Sequence, residues 1–125
     1  MRLSELFRKA PVTEVKATAV DYVEWLLRYM LRGSRMELTL DTGRPLPGSE
    51  RAAVEDPPPC IPDAQTVINR LKILSGVQPV KQAESVEGGF ERPRKHCAVE
   101  VRTRFTERSE HSQCAIRLRI RPKNT

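Results

Sequence analysis

Two hydrophobic periods run through this 125-residue chain, and the switch between them organises it. Over the first third, apolar residues return every three or four positions, which is the spacing of one helix face. Leu3, Leu6, Phe7 and Ala10 make a short amphipathic segment over residues 1–10, and Pro11 ends it. Such a segment suits a terminal helix packed on the core, or a helix lying on a membrane surface or a partner. Thr13 then offers an N-cap with Glu14 in the first turn, and a helix runs to about Arg32, stopped by Gly33. Ala19, Val23, Leu26, Leu27 and Met30 form its core stripe. Asp21, Glu24, Arg28 and Arg32 form a polar stripe, with Glu24 and Arg28 spaced as a supportive i,i+4 pair. A third stripe, Tyr22, Trp25 and Tyr29, holds every Trp and Tyr of the chain. So much apolar circumference calls for cover on more than one side. The chain's own sheet can supply that cover. So can a second copy or another protein, since Tyr and Trp concentrate in interface hot spots.

Met36, Leu38 and Leu40 then alternate with Glu37 and Thr39, the pattern of a strand over 35–40. Asp41-Thr42-Gly43 is a turn signal and opens a Pro-rich stretch over 41–62. Pro45, Pro47, Pro57, Pro58, Pro59 and Pro62 fall within it and exclude a helix or central strand, so it reads as a mobile or extended loop. Pro59-Cys60-Ile61-Pro62 matches the minimal spacing of polyproline ligands, and a plain surface loop accounts for it equally. Asp63 caps a second helix over 64–75, with Val67, Ile68, Leu71 and Leu74 as its buried face and Gly76 as its stop. Residues 77–86 hold Val77, Val80 and Val86 at strand-like points, but Pro79 demotes them to an edge or loop. Gly88-Gly89 reads as a flexible joint.

The period then becomes two. Cys97–Phe105 and Cys114–Arg121 alternate cleanly around a polar turn, Glu107–Ser112, and predict a β-hairpin. One face carries Cys97, Val99, Val101, Thr103 and Phe105, then Cys114, Ile116, Leu118 and Ile120. The other carries Glu100, Arg102, Arg104, Arg117, Arg119 and Arg121. Pairing Phe105 with Cys114 sets Val101 against Leu118, Thr103 against Ile116, Arg102 against Arg117 and Glu100 against Arg119. A slip by one residue would mix the two faces, so burial enforces the phase.

Charge sharpens this picture. The formal net charge is +6. Residues 91–125 hold ten Lys or Arg and four Glu, so the whole excess lies there; the first ninety residues balance. Like charges set directly opposite destabilise a strand pair. Five arginines on one ribbon face are tolerated either as a solvated face paired with acids such as Asp21 and Glu24, or as a site for an anion. Guanidinium forks suit phosphate and carboxylate, and a ribbon can lie along a nucleic-acid backbone or in a groove. Arg92, Arg94, Lys95 and His96 extend the basic region over 91–122. No aromatic residue on the ribbon's polar face is placed to stack on bases, so nucleic-acid binding would be backbone-directed and salt-sensitive.

No catalytic pattern stands out. Paired-carboxylate spacing, GxSxG and HExxH are all missing, and Asp41, Asp56 and Asp63 fall at turns or caps. His96-Cys97 and His111-x-x-Cys114 resemble metal ligands on paper, but the register sets Cys97 and Cys114 at opposite ends of the hairpin. Zinc and a disulfide are thereby disfavoured, and no cofactor is indicated. Three cysteines suit a reducing compartment. No run reaches membrane-spanning length, and residues 1–10 do not form a secretory signal.

The expectation is one α+β domain over 1–125: two helices on one face of a small antiparallel sheet that ends in a C-terminal β-hairpin. Its location would be cytoplasmic, or host cytoplasm or nucleus for a viral product. The leading function is a non-enzymatic module in which Arg102, Arg104, Arg117, Arg119 and Arg121, with Arg92, Arg94 and Lys95, bind a polyanion such as nucleic-acid backbone. The other is a protein-interaction or assembly protein, of the viral accessory or matrix type. It would act through Tyr22, Trp25 and Tyr29, including as a homodimer, with the basic face on an acidic protein or anionic membrane surface.

Overall fold

A computed structural model describes residues 11–50, 55–78, 85–108 and 110–122, with side chains described from Thr18 onward. The amphipathic segment over 1–10 and, from the 77–86 stretch, Pro79 and Val80 lie outside the described residues. Thr13 does not cap the first helix, because the helix already runs from Pro11 and holds Thr13 within its first turn. The elements run α1 (Pro11–Arg32), β1 (Glu37–Asp41), α2 (Ala64–Leu74), β2 (Val86–Pro93), β3 (Cys97–Glu107) and β4 (Ser112–Pro122). The four strands form one antiparallel sheet in the order β1-β4-β3-β2. Both helices cover one face of it. Among the described residues, no helix is long and apolar enough to cross a membrane.

The helical stripe Ala19, Val23, Leu26, Leu27 and Met30 is buried throughout, at 0–4% exposure. It joins Val67, Ile68 and Leu71 of α2 and the inward residues of the sheet in one core. Asp63 caps α2 as its sequence implies, its carboxylate accepting from the Gln65 and Thr66 N–H groups. The end of α1 differs from expectation. The left-handed residue is Ser34 (φ 52°), not Gly33. The Ser34 N–H donates to the Leu31 carbonyl and the Arg35 N–H to the Met30 carbonyl, a Schellman closure with serine where glycine is favoured. Ser34→Gly should therefore stabilise the protein by about 0.5–1 kcal/mol, read from the urea midpoint.

The hairpin register is the one its alternation requires: Phe105 opposite Cys114, Val101 opposite Leu118, Arg102 opposite Arg117, Glu100 opposite Arg119. The larger correction concerns Gly88-Gly89, which is not a joint but the middle of strand β2, opposite Thr103 and Arg102. Close approach explains the glycine. A Cβ on Gly88 would sit 2.7 Å from the Ser75 carbonyl oxygen and 2.8 Å from the Ser75 Cβ. Ser75 is the C-cap of α2 and its hydroxyl lies 2.7 Å from that of buried Thr103. Gly88 thus lets the end of α2 settle directly on the sheet. Gly88→Ala should cost about 1–3 kcal/mol through overpacking, measured by thermal or urea unfolding.

Candidate functional site

With the helices on one side, the opposite face of the sheet is uncovered. Strand alternation assigns its residues. β4 contributes Arg117, Arg119 and Arg121, and β3 contributes Glu100, Arg102 and Arg104. The edge strands add what the ribbon alone does not reveal. Glu37 and Asp41 come from β1, and Glu87 and Glu91 from β2. Five arginines therefore share the face with five carboxylates. The charge excess of the last third of the chain does not make this face strongly positive.

Most of the arginines touch acids. Arg117 reaches Glu37 at 3.4 Å, Arg104 reaches Glu87 at 3.3 Å and Arg102 reaches Glu100 at 3.4 Å. Arg121 lies 3.2 Å from Glu91 and 3.7 Å from Glu100. Arg119 has no carboxylate within 4 Å among the described residues. The partners come from the sheet itself, from another strand or, for Arg102, from its own strand, rather than from helix residues Asp21 or Glu24. These guanidinium groups remain at least half exposed, and ion pairs so exposed contribute only about 0–1 kcal/mol each. They hold the side chains loosely and leave them open to a better acceptor.

The layout has a direction. A basic band on β4 and β3 runs between acidic rims on β1 and β2, with Ala98, Ala115 and Gly89 as low ground between the long side chains. A shallow hollow of about 580 Å³ lies among Glu37, Thr39, Glu87, Arg102, Arg117 and Arg119. No family model, curated protein or solved structure matches this chain. Its chemistry is therefore read from its own residues.

Two sequence-level assignments are revised, those of Arg92 and of the aromatic stripe. Arg92 does not join the basic face. Its strand phase turns it to the helix side, where it grips Glu24 of α1 with contacts of 2.7 to 3.2 Å and lies over the Phe90 ring. Arg94 and Lys95 stand exposed in the β2–β3 turn, at the end of the sheet that also carries Arg121. The aromatic stripe, finally, is covered by the chain itself. Tyr22 and Trp25 are 0% and 1% exposed, and the cover is the Pro-rich loop rather than the sheet. The Tyr22 hydroxyl donates to the Pro47 carbonyl at 2.6 Å and the Trp25 indole N–H to the Asp56 carbonyl at 2.8 Å. Gly48, at φ +83°, packs against the Trp25 ring and Pro58; a Cβ there would come within 2.8 Å of the indole. Only Tyr29, stacked on Trp25 at 4.9 Å, keeps part of its surface. Burial raises the pKa of Tyr22, and nearby Tyr29 raises it further.

One feature passed unnoticed in the sequence. Lys72 of α2 is 1% exposed and bonds Glu107 of β3 at 2.6 Å, within the core. The second oxygen of Glu107 accepts from the Ser112 hydroxyl. Beside the pair lies a polar recess of about 330 Å³ lined by Thr42, Gln65, Asn69, Glu110 and His111. Next to it, the Asp41 carboxyl is held below the usual range by hydrogen bonds from Gln113 and the Gly43 N–H, with His111 and Arg44 nearby. The cysteines do not converge. Cys114 is buried opposite Phe105, its thiol pKa raised by burial, whereas Cys97 lies at the far end opposite Pro122. Cys60 donates to the Thr18 carbonyl at 3.3 Å. Among the described residues, no three His, Cys, Asp or Glu side chains are grouped to hold a metal.

Proposed function

We propose that this protein is a non-enzymatic binding module that receives an anionic chain along Arg102, Arg104, Arg117, Arg119 and Arg121. The observation behind this reading is the uncovered sheet face, on which five exposed guanidinium groups stand in register on adjacent strands. A rigid strand presents its side chains at fixed intervals of about 6.8 Å, so the array is organised before a ligand arrives. Three of its present partners, Glu37, Glu87 and Glu91, are exposed glutamates, which a better-placed carboxylate or phosphate can replace at little cost. The acidic rims shape the choice of ligand. A four-strand sheet is only about 14 Å wide between its outer strands. A broad polyanion such as duplex nucleic acid would press its phosphates on Glu37, Glu87 and Glu91, whereas a narrow chain can follow the basic band between them.

The test is fluorescence anisotropy of labelled polyglutamate and of a single-stranded oligonucleotide, at low and moderate salt. Wild-type protein should bind at least one of them, with affinity falling steeply as salt rises. Arg117→Glu/Arg119→Glu, checked for folding, should weaken that binding at least about tenfold, because a double charge reversal places repulsion where attraction was. No binding of either probe at low salt would sink the reading.

A further inference from the structure

The sheet has an opening beside the arginine band. β1 pairs with β4 only from Glu37 opposite Arg117 to Asp41 opposite Gln113. One bond extends this ladder, from the Leu118 N–H to the Met36 carbonyl at 2.8 Å. Beyond Met36 the chain turns away at Ser34 into the end of α1. β4, however, continues to Pro122. Backbone groups of alternate residues point to the same side of a strand, so the Ile120 N–H and C=O face the side that β1 has left. Among the described residues no strand pairs with them there.

The side chains along this stretch are equally unsettled. Ile120 points to the apolar side of the sheet yet is 51% exposed, one of three large hydrophobics so exposed among the described residues. On the other side stand Arg119, which has no carboxylate within reach among the described residues, and Arg121, which is half exposed. Among the described residues, backbone groups with no strand partner, a bare isoleucine and an arginine with no carboxylate partner thus coincide within three residues.

We infer that the open edge of β4, Leu118–Pro122, takes up an extended segment of a partner protein in which acidic residues alternate with apolar ones. The inference rests on the reading of the arginine band as an anion site, and it names the ligand. An added strand continues the line of β1, and its main chain meets the Ile120 N–H and C=O. Its acidic side chains repeat at the same interval as Arg119 and Arg121 and fall on their face. The intervening apolar side chain lies against Ile120. A nucleic acid offers neither a matching backbone ladder nor a residue for Ile120, and the arginine face gives its bases no aromatic platform.

Four probes decide the matter by anisotropy: a peptide of alternating Glu and Val, the same peptide N-methylated on the edge facing β4, a Lys–Val counterpart, and a thymidine oligonucleotide. The Glu–Val peptide should bind and the Lys–Val peptide should not. N-methylation should weaken binding about tenfold or more, since it keeps every charge but removes the ladder. Ile120→Pro should do the same while preserving the fold, because the N–H it deletes faces away from β3. Arg119→Glu should match that loss. If N-methylated peptide and Ile120→Pro bind as well as their parents, strand addition is overturned while charge-driven binding stands. If the oligonucleotide outcompetes the peptide and ignores Ile120→Pro, the ligand is nucleic acid and the inference fails. If no probe binds, this inference and the anion-site reading fall together.

Discussion

Lys72→Met should destabilise the protein by about 3–5 kcal/mol, because it removes the ammonium group bonded to the buried, charged Glu107 carboxylate. The Lys72 and Glu107 side chains are 1% and 5% exposed, so in the folded protein little water screens either charge. Glu107→Gln should be costly for the converse reason, with Lys72 stranded beneath the sheet. The informative variant is the double one. Lys72→Met/Glu107→Gln removes both charges and keeps an acceptor for the Ser112 hydroxyl, so it should recover most of what either single change loses. Urea unfolding of the four proteins closes the cycle. Single-variant losses under about 1 kcal/mol would mean that the pair is solvated after all. The stake is high, since a domain of this kind has only about 5–15 kcal/mol of net stability.

Trp25→Ala should cost a similar amount, about 3–5 kcal/mol, through loss of a large buried ring and the cavity it leaves. Its second effect should be local. The indole holds the Pro-rich loop at Asp56 and fills the space beneath Gly48 and Pro58. Without it the loop loses its main anchor, and limited proteolysis should cut within 44–62 before the strands. Trp25→Phe, which keeps most of the apolar area and loses the N–H, should fall between. Equal protease resistance in Trp25→Ala and wild type would show that the loop is held by other contacts.

Some of this architecture could be read from residue order, and the reasons are particular. The β3–β4 register was legible because one face is apolar and any slip would have driven Val101 and Leu118 into water. The α1 core stripe and the Asp63 cap were legible because each is a local pattern. Strand β2 was not, because Gly88-Gly89 and Pro93 carry the marks of a breaker; the need for glycine arises from Ser75, thirteen residues earlier. The acidic rims went unseen because Glu37, Glu87 and Glu91 reach the arginines only through strand order. The Lys72–Glu107 pair did leave a trace. Lys72 continues the Ile68 line at i+4, and Glu107 continues the inward phase of Val101, Thr103 and Phe105. A charge at an inward position on each of two elements is the signature of a buried pair, and it is recognisable only when both elements are phased together.

The position of Trp25 has a practical result for spectroscopy. It is the chain's one tryptophan, stacked on Tyr29 and sealed on the helix side of the molecule, away from the arginine face. Its emission wavelength and quenching by acrylamide are therefore a private gauge of how firmly the 44–62 segment is seated. Ligand arriving at the sheet should leave that signal still, so a change in it during a titration would report a rearrangement transmitted through the core.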